Sequence, residues 1–132
     1  MAAINFSNAL GIHPSAMLLR ATRAEILANN LANADTPGYK SRDINFQAML
    51  AGEVASQQSL GMNRTQQGHL SGRRKADDDI LYRNPIQPSI DGNTVDSQIE
   101  QAIYSRNALS YNSSFEFLSS KFKGMKGAIR GE

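Results

Sequence analysis

The run Tyr104-Ser-Arg-Asn-Ala108-Leu-Ser-Tyr111-Asn-Ser-Ser-Phe115-Glu-Phe-Leu118-Ser-Ser-Lys-Phe122-Lys-Gly-Met125-Lys-Gly-Ala-Ile129 decides the fold of this chain. Its residues Tyr104, Ala108, Tyr111, Phe115, Leu118, Phe122, Met125 and Ile129 alternate steps of four and three without a break. Side chains on a strand repeat every two residues, whereas this repeat follows the helical heptad, so the stretch predicts one helix with a sustained apolar seam. Upstream, Val95, Ile99 and Ala102 form a second apolar row, rotated from the first. Asn93 or Thr94 is placed to cap the helix. Asp96 and Glu100 suit the positive end of its dipole, and Lys121, Lys123, Lys126 and Arg130 suit the negative end. The C-terminal helix is expected over residues 94–132, on the order of 50 Å long.

The N-terminal region, residues 1–35, carries the same signal. Leu10, Met17, Ala24 and Leu31 fall seven apart, with Ala21 and Ala28 interleaved, and Ile12, Leu19 and Ile26 form a neighbouring row. This predicts a helix over about residues 7–34 whose alanines allow close approach of another backbone. Pro14 either opens its regular part or marks a kink after an earlier start. A helix gains most of its stability from packing, and one partner covers one stripe of its circumference. Two helices this broadly apolar therefore predict burial between subunits. A monomeric hairpin closed by the middle of the chain is the alternative.

The middle, residues 36–93, has no comparable pattern. Asp43 to Ala55 suits a short helix through Phe46, Met49 and Leu50. From Ala55 to Ala76 the chain is rich in Gln, Ser, Gly and Arg, which predicts a mobile or extended excursion. Ile80 to Ile90 contains Pro85 and Pro88 and is expected to be extended. The expected fold class is mainly α: long N- and C-terminal helices pairing as a coiled-coil-like bundle, with an extended or irregular middle. At 132 residues the chain suits a single domain.

Composition narrows the function by exclusion. The net charge is +2, from 14 basic and 12 acidic residues, and residues 36–93 divide seven to six. So even a balance supplies little of the clustered cationic surface that nucleic-acid binders use, and no nucleic-acid partner is expected. No cysteine is present, which removes disulfides and thiol chemistry and lets a chain thread a narrow channel unfolded without wrong bridges. No apolar stretch reaches a bilayer span, so no direct membrane insertion is expected. The first residues, Met1 to Phe6, lack a basic segment followed by an apolar one, so no cleaved signal peptide is expected. His13 and His69 lack ligand-spaced partners, Asp77-Asp78-Asp79 lacks the spacing of a calcium loop, and no phosphate loop or nucleophile constellation stands out. No catalytic residue, metal or cofactor is expected.

One motif remains, Ala28-Asn29-Asn30-Leu31-Ala32-Asn33-Ala34-Asp35-Thr36-Pro37-Gly38-Tyr39-Lys40. Asparagine is a mediocre helix former, so three in five positions suggest a specific use for their amides, such as bonding across a packed interface. Pro37 stops the helix, Pro37-Gly38 suits the centre of a type II turn, and Tyr39 can then fold back on the helices. The string resembles the signature of the flagellar basal-body rod, hook and hook-associated axial proteins, which Asn29, Ala32, Asn33, Thr36, Pro37, Gly38 and Tyr39 fit. The stretches Lys40 to Phe46, Gln87 to Asp96 and Phe122 to Ile129, with the short length, are similar to proximal rod members of that family. Residues 52–79 carry no resemblance.

The resemblance implies a structural subunit of a periplasmic rod, exported unfolded by the flagellar type III apparatus and folding as its helices assemble into a torque-transmitting tube. Asn29, Asn30, Asn33, Thr36, Pro37, Gly38 and Tyr39 are then expected at turn and inter-subunit contacts. Its implied partners are further copies, adjacent rod proteins, the export-gate adaptor and the inner-membrane ring. It also implies export signals, for which Ile4 to Leu10 and the pair Phe46 and Leu50 are candidates; the pair equally suits simple i, i+4 packing. A cytoplasmic helical adaptor or secretion chaperone is the competing reading.

Overall fold

A computed structural model describes residues 6–58, 80–85 and 89–131. A short helix, α1 (Phe6–Leu10), leads into α2 (His13–Ala32). The break between them falls at Gly11, whose φ of +59° suits glycine, and Pro14 stands in the first turn of α2 where no backbone N–H is needed. Strand β1 (Arg42–Ile44) and helix α3 (Phe46–Gln58) follow. Strand β2 (Ile80–Tyr82) pairs antiparallel with β1, setting Arg42 opposite Tyr82 and Ile44 opposite Ile80. Helix α4 (Ser97–Arg130) closes the fold.

The long helices α2 and α4 pack side by side and antiparallel. His13 lies by Phe117 with ring centroids 6.0 Å apart, Arg20 bonds Ser114, and Asn30 reaches Glu100 near the start of α4. The protein is mainly α, with long terminal helices and an irregular middle, as the two heptad patterns predict.

Several boundaries move, each for a local reason. Helix α4 is capped by Asp96, not by Asn93 or Thr94; its carboxylate accepts the N–H groups of Gln98 at 3.0 Å and Ile99 at 3.2 Å. Asp43 is in a strand and not a helix, and α3 starts at Phe46 behind Asn45, whose Oδ1 accepts the N–H of Ala48 at 3.1 Å. That helix runs on to Gln58, into the stretch expected to be extended; residues 59–79 lie outside the described ones. Helix α2 ends at Ala32.

The structure also shows which faces of the two helices meet. Among the described residues the buried hydrophobic side chains are Ala16, Leu19, Leu27 and Ile44. On α2, Ala16, Leu19, Leu27 and Asn30 are the buried positions; Leu10 on α1 and Met17, Ala24, Leu31 and Ile26 on α2 are half-buried beside them. Ala21 and Ala28 are exposed. On α4 the buried positions are Glu100, Asn107 and Ser114, spaced seven apart and all polar. The apolar seam therefore does not face α2 squarely. Tyr111, Leu118 and Met125 are half-buried, whereas Tyr104, Ala108, Phe115, Phe122 and Ile129 are exposed. Two heptad rows coexist on one helix, and the pairing within the chain uses the polar one. Asn107 donates to the carbonyl of Arg20 at 2.9 Å, and the Arg20 guanidinium donates to Ser114 Oγ at 3.0 Å.

Candidate assembly site

The turn after α2 is built from the motif residues and one side chain from far along the chain. Asn33 ends the helix, and its amide returns to the Asn29 carbonyl at 2.8 Å. Tyr39 N–H donates to the Thr36 carbonyl at 3.3 Å around Pro37-Gly38, with Gly38 at φ +73°. That is the positive φ a type II turn demands at its third residue. Asn93, only 5% exposed, then inserts its amide against three carbonyls: Asn33 at 3.1 Å, Ala34 at 2.6 Å and Thr36 at 3.0 Å. The Asn33 and Thr36 carbonyls also accept the backbone N–H groups of Thr36 at 3.1 Å and Tyr39 at 3.3 Å, so the Asn93 amide adds a second donor to each and gives the Ala34 carbonyl a partner.

The segment 38–41 runs beside 91–94. Gly38 N–H donates to Asp91 O at 2.9 Å, Thr94 N–H to Tyr39 O at 3.0 Å, and Ser41 N–H to Thr94 Oγ1 at 2.8 Å. The motif's asparagines thus divide. Asn30 is fully buried and bonds the backbone of Arg42 on both sides, donating at 2.7 Å and accepting at 3.1 Å, while Tyr39 OH donates to it at 3.3 Å. Asn33 and Tyr39 are half-buried, and Asn29, Thr36, Pro37 and Gly38 are exposed. The amides of Asn30 and Asn33 bond within the chain, where the spacing had suggested bonds across an interface.

Beneath this turn lies a chain of charges. Arg23 grips Asp43 with two bonds, Nε to Oδ1 at 2.9 Å and Nη2 to Oδ2 at 2.8 Å. Arg83, just after β2, donates to Asp43 Oδ2 and, at 2.6 Å, to Glu100 Oε1. Glu100 also receives the Asn30 amide at 3.4 Å. Two cations and two anions alternate from α2 through β1 and Arg83 to α4, so the cluster is neutral. Removing one member of a buried set like this leaves an uncompensated charge, which costs far more than the intact set gains.

The two carboxylates respond differently. Burial raises the Asp43 carboxyl, but bonds from Arg23, Arg83 and the Ile44 N–H outweigh it, and the group sits below its ordinary value. Burial pushes the Glu100 carboxyl above its ordinary value, against the pull of Arg83 and the Asn30 amide.

On α3, Phe46 and Leu50 are both half-buried, and the Arg20 guanidinium lies 4.4 Å from the centroid of the Phe46 ring. Ile4 lies outside the described residues. The sequence patterns do not single out Arg23, Arg83 or Ser41, and they give Asn93 only as a helix cap and Glu100 only as a dipole partner. One signal was present for Arg23, which stands seven residues from both Ala16 and Asn30. No groups of metal-ligating side chains occur among the described residues, and no described helix is long and apolar enough to cross a membrane.

The exposed part of the seam completes the site. Phe115 is 55% exposed, Phe122 49% and Ile129 86%; Leu109 and Phe117 on the same helix and Leu18 on α2 are also exposed. Comparison with known proteins gives this surface a context. The flagella basal body rod protein family matches residues 10–40. The chain is 47% identical over 131 residues to the flagellar basal body rod protein FlgB of Aeromonas hydrophila, with 98% of each chain covered. It is 41% identical over 129 residues to that of Cereibacter sphaeroides, covering 96% of this chain and 98% of the relative. For Escherichia coli K12 the identity is 40% over 128 residues, covering 92% and 93%.

Proposed function

The chain belongs to the flagellar basal body rod protein family and is a structural subunit of the bacterial flagellar rod; from that premise we propose that it builds the proximal rod and becomes ordered there by packing among neighbours. It leaves the cytoplasm unfolded through the flagellar type III apparatus. Its α2–α4 pair then docks against other copies and adjacent rod proteins to form a tube that carries torque. The base of that tube meets the export-gate adaptor and the inner-membrane ring. The role is mechanical and not catalytic.

One observation carries this reading: four hydrophobic side chains are buried in the described fold, while Phe6, Leu18, Leu81, Tyr82, Ile90, Tyr104, Leu109, Phe115, Phe117, Phe122 and Ile129 remain exposed. Hydrophobic burial is the dominant favourable term in folding and in most association, so these side chains are the natural surface for neighbours. A helical polymer needs a contact between unlike faces that does not close on itself, and the open faces of α2 and α4 differ. The turn residues Asn29, Thr36, Pro37 and Gly38 lie at the end of the pair and add polar inter-subunit contacts. Phe46 and Leu50 serve export before folding and pack against α2 after it.

The test is complementation of a deletion strain. The full chain restores swimming and appears in purified basal bodies, whereas a chain stopped at Leu118 restores neither. Normal rods from the truncated chain would overturn the proposal.

A further inference from the structure

Glu100 is a buried carboxylate whose only cation within ion-pair distance, among the described residues, comes from another part of the chain. Its side chain is 3% exposed, and Arg83 supplies that cation at 2.6 Å. Asp43 differs, because Arg23 on the adjacent α2 already holds both its oxygens. Arg83 itself is brought in by backbone. Its N–H donates to the Ser41 carbonyl at 3.0 Å, immediately beyond the register that pairs Arg42 with Tyr82.

We propose that Arg83 is a positioning residue that makes pairing of α2 with α4 conditional on the return of segment 80–85 to β1. When the helices come together without that segment, the cluster holds one cation, Arg23, and two anions, Asp43 and Glu100. Glu100 then keeps the Asn30 amide at 3.4 Å but has no cation within ion-pair distance. When the segment returns, the guanidinium spans both carboxylates and the cluster becomes neutral. Lysine presents a single ammonium and cannot reproduce that fork. Segment 80–85 thus acts as a clasp, and the long helices are selected in the register that brings Glu100 level with Asn30.

The inference rests on the reading above that the chain becomes ordered in the rod, and one experiment separates the two. A deletion strain is complemented with wild type, Arg83→Met, Glu100→Gln and Arg83→Met with Glu100→Gln. Subunit in purified basal bodies is quantified against the cytoplasmic pool, and swimming is scored. Wild type failing to enter basal bodies sinks the rod reading itself. With wild type present, Arg83→Met lowers incorporation by about tenfold or more, because a buried charge loses its partner. The double variant carries one cation and one anion, the intact Arg23–Asp43 pair, and recovers to within about twofold of Glu100→Gln, the coupling expected of contacting residues. Incorporation of Arg83→Met at the wild-type level overturns the inference, as does a double variant no better than Arg83→Met.

Discussion

At the scale of single residues, the fold relies on side chains that each satisfy several groups at once. Asn93 is the clearest, with one amide on the carbonyls of Asn33, Ala34 and Thr36. Asn93→Ala removes three hydrogen bonds made by a buried amide and the Ala34 carbonyl's partner, at a cost of about 1–3 kcal/mol, so less denaturant should release the subunit from purified basal bodies. Gly38→Ala acts through the backbone alone: a Cβ there meets nothing within 4 Å, but φ is +73°. The same release assay should register about 1 kcal/mol, from the left-handed strain of a residue with a side chain. Asp43 gives the pH dependence. Its carboxyl is held below the ordinary value in the fold, so its stabilisation is present above the unfolded value and is lost as pH falls through the folded one. Glu100, raised in the fold, has the opposite sign and gains protons first in the folded state. Acid release of the subunit below the ordinary aspartate range should therefore follow Asp43, and Asp43→Asn should flatten that part of the profile while weakening the rod at neutral pH.

At the scale of elements, both long helices were legible in the sequence, but their mutual orientation was not. Periodicity reports where apolar residues align, and Tyr104 to Ile129 align well. It is blind to a second heptad row of Glu100, Asn107 and Ser114, whose contribution depends on partners 70 to 94 residues away along the chain. The stop at Pro37-Gly38 was readable because turn chemistry is local; the Asn93 that completes it comes from a segment 57 to 60 residues distant. The charged clasp was hidden for the same reason, since its four members come from separate stretches of the chain. The polar row leaves the exposed part of the apolar seam available to neighbours. Phe115→Ser with Phe122→Ser changes two exposed side chains and should leave the circular dichroism of the isolated chain unaltered. In the rod the same pair should reduce incorporation by tenfold or more, because truncating one buried aromatic costs about 3–5 kcal/mol. Unchanged incorporation would show that the seam faces solvent in the assembly.

At the scale of the whole molecule, the balance between core and polar clasp bears on when the chain folds. Ala16, Leu19, Leu27 and Ile44 offer little apolar burial against the ordering entropy of two long helices. Much of what joins α2 to α4 is hydrogen-bonded, and such bonds exchange with water for a modest net gain. The clasp sets the register in which the helices meet, but a neutral buried ion cluster contributes little stability of its own. On the proposed reading such a chain is poised: its correct pairing is specified within it, and neighbours in the rod supply the energy that holds it. The isolated chain at micromolar concentration should accordingly show low helicity and no cooperative thermal transition, and helicity should rise only as polymer forms. Circular dichroism with a dilution series decides this. A compact, fully helical monomer melting cooperatively at high dilution would place the stabilising energy inside the chain and remove the reason for its helices to wait for neighbours.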